Sequence, residues 1–235
     1  MMNVKGVEMK KIIYLIIGIL VGGLISYFIF NKNTNEEKLL SLPKPQVTEG
    51  ERGMLGIDKN INEQTIDKYL GRSDSVYRDM RMLSDPGNYE AIGGDSKLSG
   101  TIKGFEVIPF PYLTKVKGLP EAVGKTYEGK TLFTENEDGT YSPNYKESLE
   151  FLETYFPKDK NIFLMCGGGG YAGMTKKLLV SLGWDEDKIY DIGGYWYYNG
   201  DNNVQIKKEE NGKTIYEFWK VTYHEINFDN FTEIK

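Results

Sequence analysis

The sequence is poor in the side chains that most often build disulfides, metal sites and catalytic triads. Its 235 residues include one cysteine, Cys166, and one histidine, His224. A single cysteine excludes an intrachain disulfide and a cysteine-based structural zinc site. A single histidine leaves little for a Ser-His-Asp triad or a multi-histidine metal site, and His224 is expected to be structural. We therefore predict no metal and no other cofactor.

The sequence also lacks an excess of positive charge. It carries 29 Lys and Arg residues against 34 Asp and Glu residues, a formal net charge of −5, and no basic stretch has aromatic residues interleaved with it. Nucleic acid is therefore excluded as an expected partner. The chain is 40% hydrophobic and 13% aromatic, which is typical of one compact domain with a real core and some appendages.

A long apolar run lies near the N-terminus. Ile12 to Phe30 holds no charged residue and approaches the ~20 residues that a helix needs to span a bilayer. A cleaved signal peptide would have a shorter apolar core and a small-residue cleavage site. Lys5, Lys10 and Lys11 precede the run, so the positive-inside bias predicts a cytoplasmic N-terminus and an extracytoplasmic domain. We expect a single-pass protein of the cell membrane.

Turn signals and apolar periodicity divide the remainder of the chain. Strands are predicted at residues 75–78, 105–108, 161–165 and 188–192, and helices at 62–70, 145–156 and 174–182. A hairpin is predicted around Asn211-Gly212, and a surface hairpin or a long loop at 127–144. The predicted organisation is a cytoplasmic tail (1–11), a membrane anchor (12–30), a polar linker (31–55), an α/β domain (56–200) and a β-rich C-terminal extension (201–235).

The stretch around Cys166 predicts a βαβ unit. Residues 161–165 form a continuous apolar run of buried-strand length, and Cys166 and four glycines follow it directly. Met174, Leu178, Leu179 and Leu182 then share one helical face before the next strand. Strand, tight loop, helix and strand in about 30 residues indicate a right-handed crossover and hence a parallel sheet covered by helices.

The loop from Cys166 to Gly173 favours a reactive cysteine. Consecutive glycines allow the backbone to turn its N–H groups inward, and the helix N-terminus adds partial positive charge. A thiolate or a persulfide fits such an anion nest, and we expect the loop to lower the pKa of Cys166 below that of a free thiol.

Three other interpretations use the same residues. A lone cysteine can be an inert, small core residue. Gly168, Gly170 and Gly173 match the dinucleotide pattern G-x-G-x-x-G, with Asp191 near the position of a ribose-binding acid, but a glycine run satisfies this spacing cheaply. A Cys-x5-Arg phosphatase loop needs an arginine, and position 172 is alanine.

In three segments the residues resemble the rhodanese-like family. Residues 161–196 are similar to that family's strand, cysteine loop, helix and next strand, ending in Gly193-Gly194-Tyr195-Trp196. Asp79-Met80-Arg81 resembles its Asp-Val-Arg element, and Gly100 to Gly104 followed by Val107-Ile108-Pro109 resembles its Gly-His-Ile-x-Gly-Ala…Ile-Pro segment. The resemblance covers about residues 56–200.

The resemblance implies a sulfurtransferase fold, with a central parallel sheet flanked by helices. It implies that Cys166 carries sulfur as a persulfide and that Asp79 and Arg81 support the loop, although an ordinary ion pair is the alternative for these two. The substrate-binding positions carried over are Gly167, Gly168, Gly169, Gly170, Tyr171 and Ala172. Tyr171 stands where active members often carry Arg, and Thr101 where His is common. The site is therefore expected to suit sulfur more than a strongly anionic donor.

Two functional hypotheses follow from these features. The first is a membrane-anchored extracytoplasmic sulfurtransferase or persulfide carrier, with a small sulfur donor and a thiol or protein acceptor as partners. The second is a non-catalytic rhodanese-fold module that binds a ligand or senses an oxidant at Cys166. The aromatic run Tyr195 to Tyr198 is expected to pack at the sheet edge or against the C-terminal extension, with a hydrophobic rim for an acceptor protein as the alternative.

Overall fold

The structure, a computed structural model, describes residues 40–48, 55–82, 100–116, 127–204, 207–216 and 222–234. Contacts group Leu42–Lys235 into one compact unit. No helix in these described ranges is long and apolar enough to cross a membrane. The predicted span Ile12–Phe30 lies outside them.

The chain forms a mixed α/β fold with short elements. Its strands are β1 (Ser75–Asp79), β2 (Thr101–Ile102), β3 (Glu106–Val107), β4 (Phe133–Glu135), β5 (Tyr141–Pro143), β6 (Asn161–Cys166), β7 (Ile189–Gly194), β8 (Asn203–Val204), β9 (Lys207–Glu210) and β10 (Lys213–Tyr216). The α-helices are α1 (Phe110–Leu113), α2 (Ser148–Tyr155) and α3 (Gly170–Ser181). Short 3₁₀ helices cover Ile66–Tyr69, Glu186–Lys188, Tyr195–Tyr197 and Phe228–Asn230.

A parallel sheet of strand order β3-β1-β6-β7 forms the centre of the fold. All three strand pairings are parallel, and β1 pairs with β6 from Ser75 opposite Asn161 to Asp79 opposite Met165. Strand β6 is buried along both faces because its apolar run has no polar alternation, as expected of a central parallel strand. The predicted βαβ unit is confirmed as β6, α3 and β7.

The two faces of the sheet pack against different structures. On one face, Ile162 and Leu164 lie in a core with residues of α1, α2 and α3, including Leu113, Leu152 and Leu178. On the other face, Phe163 and Met165 pack with a second group, which combines residues of neighbouring strands with residues of loops and 3₁₀ helices. The further members of that group include Ile61, Ile66, Tyr77, Phe105, Tyr190, Ile192 and Tyr195. The α-helices thus cover one face, and segments with 3₁₀ turns cover the other.

The C-terminal region contributes to the same fold. Asn211 and Gly212 both take positive φ, 51° and 74°, between the antiparallel strands β9 and β10, so the predicted hairpin is confirmed. Beyond it, the His224 N–H donates to the Val107 carbonyl at 2.8 Å, which adds residues 222–224 beside β3. Phe228 is buried in the core on the α-helical face.

Other local predictions are confirmed as to the position of an element, but the bounds of the elements differ. Strands β4 and β5 form the expected surface hairpin, and α2 occupies the centre of the predicted helix 145–156. The predicted helix near Asn62 is shorter, a 3₁₀ turn at Ile66–Tyr69. Toward the N-terminus, the Thr48 backbone N–H donates to the Ile57 carbonyl at 2.8 Å, so residues 42–48 of the predicted linker lie within the compact unit.

Candidate active site

Cys166 is the last residue of β6 and lies at the start of the glycine loop. Its thiol is buried, with 4% of the residue exposed, and the Gly169 N–H donates to its Sγ at 3.0 Å. Gly169 adopts φ of 102°, a left-handed conformation that glycine takes without strain, and α3 begins at the next residue. The amides of Tyr171 and Ala172 also form hydrogen bonds that lower the pKa of Cys166. The predicted nest of inward N–H groups is therefore present.

The net electrostatic effect on the thiol is opposite to the one expected. Burial raises the pKa of Cys166 above its ordinary value, and the nearby carboxyl of Asp191 raises it further. The hydrogen bonds from three backbone amides, at Gly169, Tyr171 and Ala172, oppose this rise without cancelling it. The prediction of a lowered thiol pKa is wrong because burial destabilises the thiolate more than the amide hydrogen bonds stabilise it.

The glycine loop packs against β7 and the residues that follow it. A Cβ on Gly194 would lie 2.0 Å from the Gly167 carbonyl oxygen, so loop and strand meet backbone to backbone. The backbone N–H of Trp196 donates to that same carbonyl at 3.1 Å. The Trp196 indole covers Gly167, where an added Cβ would meet it at 2.5 Å. The Gly-Gly-aromatic sequence after β7 therefore supports the loop through its backbone.

We expect Gly167→Ala and Gly168→Ala to differ sharply. At Gly167 an added methyl group collides with the Trp196 ring, whereas at Gly168 the ring lies at 3.7 Å, an ordinary contact. Gly167→Ala should lower the free energy of unfolding by about 1–3 kcal/mol and change Trp fluorescence, and Gly168→Ala should do neither. Adding Trp196→Ala should restore part of the stability of Gly167→Ala. Equal effects of the two single substitutions would contradict the packing described.

The remaining loop residues begin helix α3. Gly170 and Ala172 are buried, and the Tyr171 carbonyl accepts a hydrogen bond from the Thr175 hydroxyl at 2.7 Å. The Tyr171 ring stacks on Phe110 with centroids 5.5 Å apart, and burial raises the pKa of its phenol. Position 171 therefore places a neutral aromatic ring, and no cation, beside the thiol.

Asp79 and Arg81 form a buried ion pair at the end of β1. Arg81 donates to the Asp79 carboxylate and, through Nη2, to the Gly100 carbonyl at 2.7 Å, while the Thr101 hydroxyl donates to Asp79 at 3.0 Å. The Arg81 guanidinium lies 4.9 Å from the centre of the Tyr195 ring. Because Tyr195 follows Gly194 directly, the pair is linked to the loop through this aromatic ring.

Two other candidate residues also have defined places. His224 is partly exposed, lies 3.2 Å from a Glu106 carboxylate oxygen and packs against the Tyr155 ring, which is the structural role expected. Asp191 is 3% exposed and accepts a hydrogen bond from Gly193. The dinucleotide interpretation requires an exposed carboxylate that can bind a ribose, and Asp191 does not offer one. Nothing in the sequence pattern indicated that Phe110 lies against the loop, where its ring stacks on Tyr171.

The run Tyr195 to Tyr198 divides between core and surface. Tyr195 and Tyr198 are buried in the core, as packing at the sheet edge requires. Trp196 and Tyr197 are 43% and 44% exposed, and Trp196 borders the glycine loop. An aromatic surface therefore lies beside the candidate site.

The structure shows two further features that concern ligands. Among the described residues, no group of three His, Cys, Asp or Glu residues could hold a metal ion. A cavity of about 390 Å³ lies beside α3. Its lining includes Val47, Leu55, Gly173, Lys176, Val180 and Asp191, but not Cys166.

Fold and site together define an α/β domain with a buried cysteine in a glycine-rich strand-to-helix loop. No family model, no curated protein and no solved structure matches this chain.

Proposed function

We propose that this chain is a rhodanese-like, membrane-anchored persulfide carrier or sulfurtransferase that uses Cys166. The observation that carries the proposal is the Gly169 amide, which donates to the Cys166 sulfur at 3.0 Å at the start of α3, with the Tyr171 and Ala172 amides acting on the same thiol. Three N–H donors around one sulfur atom suit a sulfur-centred anion. The strands that resemble the family's motifs, β1, β3, β6 and β7, lie side by side in one parallel sheet.

The proposed reaction is a pair of sulfur transfers. The Cys166 thiolate attacks the outer sulfur of a donor persulfide, so a Cys166 S–S bond forms, the donor S–S bond breaks and the donor leaves as a thiolate. An acceptor thiolate then attacks the outer sulfur of the Cys166 persulfide and regenerates the Cys166 thiolate. No external oxidant or reductant is consumed. The inner sulfur changes partners while the amides hold it in place.

Persulfide chemistry is compatible with the raised pKa of the free thiol. A persulfide is more acidic than its parent thiol, so once loaded the site holds an anion that the amides stabilise. The neutral Tyr171 ring and the absence of Lys and Arg from residues 166–173 disfavour strongly anionic donors. A small persulfide is therefore the proposed donor, and a low-molecular-weight or protein thiol is the acceptor.

The proposed location follows from the sequence. The apolar run Ile12–Phe30 and the lysines before it support a single membrane span, with the cysteine domain outside the cytoplasm. Trp196 beside the loop and its exposed neighbour Tyr197 suit contact with an acceptor protein, because exposed aromatic rings bury large areas at interfaces.

The test is sulfur loading of the full-length protein in detergent. After incubation with glutathione persulfide, the wild type should gain the mass of one sulfur atom, and a reducing thiol should remove it. Cys166→Ser should gain none, and thiosulfate should load the wild type far more slowly. The proposal fails if no donor leaves sulfur on the wild type, or if Cys166→Ser loads equally.

A non-catalytic module that binds a ligand or senses an oxidant is the second candidate function. The observation that favours it over catalysis is the burial of Cys166, which raises the pKa of its thiol and makes the thiol a weak nucleophile. A sensor should take up oxygen at Cys166 after exposure to peroxide and remain unloaded by persulfide. The same mass measurement, with peroxide as a second arm, therefore separates the two functions.

A further inference from the structure

The carboxyl group of Asp191, on the strand next to β6, is buried with one of its oxygens unpaired among the described residues. Asp191 lies on β7, 3% exposed, and its Oδ1 accepts a hydrogen bond from the Gly193 N–H at 2.9 Å. Within the described part of the chain its Oδ2 is buried without a hydrogen-bond partner. A buried carboxyl with an unsatisfied oxygen costs stability, so its presence here calls for an explanation.

The Asp191 hydrogen bond closes a bulge in the sheet opposite Cys166. The β6–β7 pairing runs from Leu164 opposite Asp191 to Cys166 opposite Gly194, so β7 contains one extra residue at this point. Gly193, in the bulge, adopts a left-handed φ of 92°. Bulges re-aim the backbone next to functional sites, and this one brings Gly194 against the Gly167 carbonyl.

We propose that Asp191 is a positioning residue for Cys166, whose carboxyl holds the Gly193–Gly194 bulge against the glycine loop and whose ionisation opposes the thiolate. The proposal rests on the proposed function in treating Cys166 as the reactive group. Its measurement is thiol alkylation, which does not depend on sulfur transfer, so the two proposals can fail separately.

The charged groups around Asp191 determine when it ionises. Burial raises the pKa of Asp191 well above its ordinary value, Lys176 on α3 opposes the rise, and Glu63 and Asp58 add to it. The ionised carboxylate in turn raises the pKa of Cys166. A proton on Asp191 therefore favours the Cys166 thiolate, and loss of that proton disfavours it.

The experiment is the pH profile of iodoacetamide alkylation, measured by mass on the full-length protein in detergent. Because the chain has one cysteine, the signal reports Cys166 alone. Asp191→Asn keeps an oxygen that can accept from Gly193 but removes the charge. It should move the profile to lower pH and speed alkylation in the range where wild-type Asp191 is ionised by roughly threefold to tenfold. Asp187→Asn, which removes an exposed carboxylate paired with Lys44, is the matched control and should leave the profile unchanged.

Two results would overturn the proposal. One is an Asp191→Asn profile that coincides with the wild type or lies at higher pH, even if the melting temperature changes. The other is the same shift to lower pH in the Asp187→Asn control, because the effect would then not belong to Asp191. Asp191→Ser also removes the charge and keeps a side-chain oxygen, so the same shift expected of it tests the proposal if Asp191→Asn does not fold. Asp191→Leu, which also removes the acceptor for Gly193, should in addition lower the melting temperature.

Discussion

Gly194→Ala should abolish sulfur loading of Cys166 and destabilise the protein. The added Cβ would lie 2.0 Å from the Gly167 carbonyl oxygen and 2.6 Å from the Gly168 Cα, both backbone atoms that no rotamer change can move. The loop and β7 must therefore separate, which removes the amides from the sulfur. Overpacking of this kind costs about 1–3 kcal/mol in the free energy of unfolding, and more when backbone must shift.

Gly183→Ala is the matched control for this substitution. Gly183 ends α3 with φ of 91°, and an added Cβ there meets nothing within 4 Å. Alanine at this position lowers the free energy of unfolding only through the strained left-handed conformation, by about 1–2 kcal/mol. The cysteine loop remains intact. Gly183→Ala should therefore lose stability and keep sulfur loading. If Gly194→Ala loads sulfur at the wild-type rate, the loop does not depend on its contact with β7.

Arg81→Met should produce a large loss of stability although it lies outside the loop. Asp79 has no exposed surface, and Arg81 supplies its counter-ion and several of its hydrogen bonds. Removing one partner of a buried ion pair leaves an uncompensated charge and typically costs about 3–5 kcal/mol. The Gly100 carbonyl also loses a donor. Chemical denaturation followed by Trp fluorescence measures the change in free energy.

The double variant Asp79→Leu with Arg81→Met tests the physical cause. Replacing both charges with apolar side chains removes the desolvation cost, so much of the lost stability should return. Lys130→Met breaks the exposed pair with Glu233 and should leave the free energy of unfolding nearly unchanged. If Arg81→Met is as mild as Lys130→Met, the buried pair does not stabilise the end of β1.

These effects differ in how far the sequence could foretell them. The apolar run before Cys166, the glycines after it and the helical period beyond them are local signals, and the structure confirms β6, the loop and α3 where they predict them. The hairpin at Asn211-Gly212 is equally local, because its turn type needs positive φ at both residues. By contrast, the contact between Gly194 and Gly167 joins segments far apart in the chain.

The sequence by itself determined that one cysteine stands in a glycine-rich strand-to-helix loop of a parallel α/β fold, because hydrophobic period and glycine content are properties of neighbouring residues. Only the tertiary structure decided the state of that cysteine. Its pKa is raised because burial depends on everything packed around it, including the carboxyl of Asp191 from the adjacent strand. The loop amides, the β7 bulge and the Asp191 carboxyl act together on the Cys166 sulfur only because β6 pairs with β7.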